Sequence, residues 1–123
     1  RLDAIQAAIL QVKLAYLDGW NQQRQVVAER YQALLQSISA LVLPQPLEGG
    51  RSVWNQYTVR VTAPSSAPAE SFRDTLRQRL QEAGVTTMVY YPLCLHLQPA
   101  YKSLGYQPGQ LPVAERASQE VLS

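Results

Sequence analysis

Cysteine, histidine, methionine and phenylalanine each occur once in this 123-residue chain. A lone cysteine excludes an internal disulfide, and no Cys/His set has zinc-ligand spacing, so no metal site is expected. A reducing, cytoplasmic setting fits that scarcity. No apolar run reaches the roughly 18 residues of a membrane span, and no signal-peptide pattern opens the chain. Charge is sparse as well, at 16% of residues with a net of +2. No Lys/Arg cluster alternates with aromatics, which argues against nucleic acid as a partner. Also missing are a glycine-rich phosphate loop, a Ser-His-Asp set and paired carboxylates. What remains is 46% hydrophobic, enough to fold around one core but not two.

The opening segment is helical in pattern. Leu2, Ile5, Ile9, Val12 and Tyr16 recur at three- and four-residue steps, the period of one helix face. Leu10, Leu14 and Leu17 widen that stripe, so cover from another domain or subunit is expected. Asp18-Gly19 reads as a kink, because glycine weakens a helix. A narrower stripe through Val27, Tyr31, Leu34, Leu35 and Ile38 continues it, and Pro44 and Pro46 close the region.

From Val53 to Thr62 apolar and polar residues alternate, which predicts a half-buried strand with Asn55 on its mostly apolar face. Residues Ala63 to Pro68 read as a loop. Ser71 and Asp74 have capping-box spacing, and Phe72, Leu76 and Leu80 are the expected buried stripe of a helix that Gly84 stops. Arg73, Arg77 and Arg79 are assigned to its solvated side. Val85 to Tyr90 reads as a second strand, Gln98 to Leu104 as a short helix with Pro99 in its first turn. Pro112 opens a last helix with Val113, Ala117 and Val121 inward. The expected class is α/β of the α+β kind, with a long N-terminal helix and a small, mainly antiparallel sheet packed by helices. Its predicted division is a helical part over 1–38 and a sheet-and-helix part over 51–123.

The chemistry-bearing side chains gather between Val89 and Tyr101, which holds His96, Cys94 and the tyrosines Tyr90, Tyr91 and Tyr101. An imidazole can exchange a proton near neutral pH, or it can simply satisfy a loop carbonyl. The tyrosines can pack or touch a ligand. Cys94, between Leu93 and Leu95, reads as a small buried hydrophobe. The lysines are Lys13 and Lys102; both read as solvated, and neither sits in a Schiff-base context.

Five segments, in order, carry a resemblance. Arg1-Leu2-Asp3-Ala4-Ile5-Gln6-Ala7-Ala8-Ile9-Leu10 resembles the opening of the long helix in sugar aminotransferases of DegT/DnrJ/StrS type. Trp54 to Arg60 is similar to a strand of that family, and Arg73 to Leu76 with Gln81 to Val85 to its following helix. Tyr90 to Tyr101 and Leu111 to Glu115 with Ser118 to Ser123 resemble its later motifs. The resemblance implies the C-terminal small domain of a fold-type I enzyme that uses pyridoxal phosphate. Such an enzyme moves an amino group from glutamate to a keto nucleotide-sugar, as a homodimer. It implies a fragment lacking the large cofactor domain and the Schiff-base lysine, so no catalytic residue is expected in this chain. By the same resemblance His96, Asn55, Tyr91 and Arg1 are substrate contacts, Arg1 also reaching the cofactor phosphate, with Tyr101 a weaker carry-over. Two alternatives stay open: a non-catalytic interaction module, and a dehydratase of the same family.

Overall fold

The computed structural model describes residues 3–64 and 68–123. Arg1, Leu2 and the 65–67 part of the expected loop lie outside the described residues. The elements are α1 (Ala4–Leu14), α2 (Leu17–Leu35), β1 (Leu41–Val42), β2 (Val59–Val61), α3 (Ala69–Glu82), 3-10 turns at Leu95–Leu97 and Pro99–Leu104, α4 (Pro112–Glu120) and β3 (Val121–Leu122). Among the described residues no helix is long and apolar enough to cross a membrane. The chain divides into two compact units: Arg1–Leu34 with Gln45–Gln56, and Leu35–Pro44 with Tyr57–Ser123.

In the first unit, the Asp3 carboxylate caps α1 by accepting from the Ile5 N–H at 2.8 Å, satisfying one orphan donor of the first turn. The helix breaks at Ala15–Tyr16, not at Asp18-Gly19. There the Tyr16 N–H donates to the Lys13 carbonyl at 3.0 Å, a tight turn that stacks the Tyr16 ring on Trp20, centroids 5.9 Å apart. Lys13 Nζ lies 5.9 Å from the Trp20 ring centroid. Gly19 is an ordinary helical residue of α2, and a Cβ built there meets nothing within 4 Å. Among its described residues α1 buries none, so the apolar stripe exists but faces solvent: Ile5 is 73% and Val12 67% exposed.

The long strand expected over 53–62 is cut to Val59–Val61. Trp54 takes a left-handed φ of 49°, a backbone region closed to extended chain. Its indole N–H donates to Gln25 Oε1 at 2.8 Å, and its backbone N–H to Ser52 Oγ at 3.3 Å. That tether to α2 outweighs the alternation, and Asn55 sits in an exposed bend.

The second unit is built on a three-stranded antiparallel sheet of order β1-β2-β3. Leu41 pairs with Val61, and Val59 with Leu122. Val61 is wholly buried and Leu122 nearly so. These two-residue outer strands went unforeseen because Leu41–Val42 is too short to show a period. Residues Val85 to Tyr90 form no ladder of their own; Met88 alone exchanges reciprocal backbone bonds with Ser123, at 2.7 and 2.8 Å. The expected mainly antiparallel α+β arrangement is what the unit shows.

Helix α3 starts at Ala69, behind Pro68, with no side-chain cap. Ser71 lies inside it, its carbonyl accepting from Thr75 Oγ1 at 2.9 Å, so the capping box does not form. Its C-terminus is as expected. Gly84 has φ +82°, and the Val85 and Gly84 N–H groups donate to the Leu80 and Gln81 carbonyls at 2.8 and 3.0 Å, the paired bonds of a Schellman stop.

The largest departure is Arg73, assigned to the solvated side but only 2% exposed. Its guanidinium donates to the Ser118 carbonyl at 3.0 Å and the Val121 carbonyl at 3.4 Å. It therefore caps the C-terminal end of α4, where orphan carbonyls and the helix dipole favour a cation. Asp74, at 2.6 Å, offsets its charge. Helix α4 in turn does not bury Val113, which is 83% exposed; the inward residue is Glu120, 7% exposed. Glu120 accepts from Arg116 Nε at 2.9 Å and pairs with Arg60 at 3.3 Å. The Arg60 contact is an ion pair without hydrogen-bond alignment, since neither Arg60 Nε nor Glu120 Oε2 has an aligned partner. Val121 belongs to β3, not to the helix.

Candidate functional site

His96 lies in the 3-10 turn Leu95–Leu97, which Cys94 and Pro92 lead into and Pro99 follows. Proline on both sides denies the segment donors for a regular ladder or helix, so the chain makes short turns here. His96 is buried, its side chain 7% exposed. Its Nε2 lies 3.1 Å from Glu115 Oε1. The Tyr106 ring meets the imidazole edge-on, centroids 5.9 Å apart at 77°.

Glu115 stands in the first turn of α4. Besides His96, it accepts from the Gly109 N–H at 2.8 and 2.9 Å and from the Leu111 N–H at 3.2 Å. Leu111 is the residue before the helix, so the Leu111 bond is the reach-back of a capping box made one residue late. Gly109, at φ +89°, turns its N–H onto the carboxylate in a conformation that suits glycine alone. The Gly109 bond holds the Glu115 carboxyl below its usual range, and burial opposes it; the His96 and Leu111 bonds add to the lowering. An ionised carboxylate thus joins three segments: the turn bearing His96, the loop before α4, and α4 itself.

The other expected site residues are placed as follows. Tyr91 is 62% exposed and its ring meets that of Tyr90 at 6.0 Å, edge-on. Tyr101 is 44% exposed, and Cys94 is buried. Asn55 belongs to the first unit, and Arg1 lies outside the described residues. The ring beside His96 is that of Tyr106, which no sequence motif singled out. Glu115 was visible in the sequence as part of a motif but without a role, because its partner is 19 residues away. Both lysines are exposed; Lys13 lies by Trp20 and Lys102 in the second 3-10 turn. Neither is buried beside a base or an acid. Among the described residues no buried lysine offers a Schiff-base position for pyridoxal phosphate. Among the described residues no group of His, Cys, Asp and Glu could hold a metal ion.

The site's segments fall inside one continuous likeness to known proteins. The model of the DegT/DnrJ/EryC1/StrS aminotransferase family matches residues 1–123. A pleiotropic regulatory protein of Geobacillus stearothermophilus is 49% identical over all of the chain, which covers 31% of that relative. A dTDP-3-amino-3,4,6-trideoxy-alpha-D-glucose transaminase of Streptomyces venezuelae is 37% identical, again over the whole chain and 31% of the relative. The crystal structure of S. venezuelae DesV in complex with a ketimine intermediate superposes with a TM-score of 0.89 at 37% identity, covering all of this chain and 31% of that one. The chain therefore spans about 31% of the length of these relatives. It belongs to the DegT/DnrJ/EryC1/StrS aminotransferase family.

Proposed function

We propose that this chain is the substrate-facing small domain of a pyridoxal-phosphate aminotransferase that moves an amino group from glutamate to a keto group on a nucleotide-linked sugar. The observation that carries the reading is the end-to-end likeness to a solved enzyme of the family, at a TM-score of 0.89, together with a relative named for transamination of a dTDP-sugar. Neither lysine here lies in a setting for the cofactor, so the Schiff-base lysine and cofactor domain are assigned to a portion outside this sequence. When bound there, the cofactor supplies the electron sink.

The chain's own residues have a narrower task. His96 is held rigidly by Glu115 and Tyr106, as a group that orients a ligand must be. We assign it the nucleotide-sugar, with Tyr91, Asn55 and Arg1 as further contacts. The exposed apolar stripe of α1 is assigned to cover by the rest of the protein or a second copy, in a homodimer. A cytoplasmic, biosynthetic setting follows from the same reading.

The test uses the whole protein with 15N-glutamate and a dTDP-linked keto sugar. The label is expected in the sugar product. Failure to transfer label with cofactor bound would favour the non-catalytic reading that the regulatory name of one relative suggests. His96→Ala is expected to raise KM for the nucleotide-sugar about tenfold while leaving glutamate nearly unchanged, a loss near 1.4 kcal/mol. Equal effects on both substrates would remove His96 from the sugar side.

A further inference from the structure

The contacts of Glu115 fix more than the position of His96. A carboxylate is an acceptor only. Its 3.1 Å contact with Nε2 therefore places the proton of the neutral imidazole on Nε2. The carboxylate is itself immobile, because Gly109 and Leu111 donate to it from the backbone. Tyr106 blocks rotation of the ring from one side, edge-on at 5.9 Å. Among the described residues no hydrogen bond engages the other nitrogen, Nδ1. In the neutral ring that nitrogen is a bare acceptor.

We propose that Glu115 is a positioning residue that locks His96 in its Nε2-protonated form, so that Nδ1 accepts a hydrogen bond from a hydroxyl or N–H donor of the bound nucleotide-sugar. This rests on the assignment of His96 to the nucleotide-sugar and deepens it: the ligand group is a donor, not a phosphate oxygen. A phosphate has no proton to offer a bare nitrogen, whereas a sugar hydroxyl or nucleobase N–H does. An acceptor that a bound ligand covers discriminates strongly, because a ligand lacking the donor leaves it unpaired.

The test reads the ring directly. The protein is labelled with 15N-histidine, and the His96 nitrogen signals are assigned by their loss in His96→Asn. The neutral ring is expected to show a protonated Nε2 and a bare Nδ1. Glu115→Gln, which keeps an acceptor oxygen, is expected to retain that pattern. Glu115→Ala is expected to mix the two forms, drawing the nitrogen shifts together. A proton on Nδ1 in the unmodified protein overturns the proposal even if Glu115→Ala does not fold, as does an unchanged pattern in a folded Glu115→Ala.

Binding to the whole enzyme supplies the second readout, with dTDP and dTDP-glucose as probes. Glu115→Ala and His96→Ala are each expected to weaken dTDP-glucose about tenfold, and the double variant to weaken it no further. Loss with dTDP-glucose alone places the donor on the sugar; an equal loss with dTDP places it on the nucleoside. A locked ring with unchanged affinity for both probes in His96→Ala keeps the positioning role but overturns the substrate contact. Independent, additive losses overturn action of Glu115 through His96.

Discussion

The two units of this chain are held in opposite ways. In the first, α1 shows its full apolar period yet none of its described residues is buried, and α2 buries only Ala28. Order along α1 and α2 is local, through an Asp3 cap, backbone ladders and a Tyr16–Trp20 stack, with the Trp54–Gln25 bond as a long-range tether. In the second, the best buried side chains include Arg73, His96 and Glu120 beside Val61 and Leu122. Each of these three polar groups binds chain distant in sequence. The difference teaches that here apolar periodicity marks exposed surface, while polar side chains fix the unit that holds His96 and Glu115.

The sharpest way to break the comparison is Arg73→Ala. It strips the Ser118 and Val121 carbonyls of their donor and leaves space where a guanidinium was. Unpaired buried groups of this kind cost about 3 kcal/mol. The urea midpoint of the second unit should fall accordingly. Arg73→Lys should recover only part, since a lysine ammonium can replace Nη1 at the two carbonyls but has no second nitrogen to hold Asp74 as Nε does. A loss within experimental error would mean that the apolar core alone holds α4.

A smaller effect is expected from acid. The folded Glu115 carboxyl is held below its ordinary range, chiefly by the Gly109 bond. A depressed folded value means that the carboxylate's stabilisation is fully present above the unfolded value, roughly pH 4.3. It is lost as pH falls through the folded one. Below that window Gly109, Leu111 and His96 should be released together, while the Arg73 cap, which does not use this carboxylate, persists. Amide exchange at Gly109 and Leu111 reads this directly. Release at higher pH, or without His96, would separate the loop from the imidazole.

Local rules carried much of the fold. The Gly84 stop, Pro99 in its turn and Pro112 at the head of α4 follow from backbone chemistry alone. Three of the misses share one cause. The strand over 53–62 yielded to a Trp54–Gln25 bond 29 residues apart, and the solvated reading of Arg73 yielded to carbonyls 45 and 48 residues away. Val113, expected inward, is exposed, and Glu120 is buried with Arg60 and Arg116 as charge partners. Likewise His96 could be singled out as the one imidazole, whereas its Glu115 and Tyr106 partners could not. Period and propensity do not encode which distant polar groups will meet.

The gentlest substitution completes the comparison. Ile9 lies on the stripe of α1 and is 55% exposed. If the first unit is ordered locally, Ile9→Gln should change the stability of this chain by no more than about 0.5 kcal/mol, as at other surface positions. The same change in the whole protein should weaken it far more, because the stripe would then lie under cover. Thermal denaturation of both forms gives the contrast. A large loss in the chain alone would mean that α1 already buries this face, and the division between local and long-range order would fail at its simplest point.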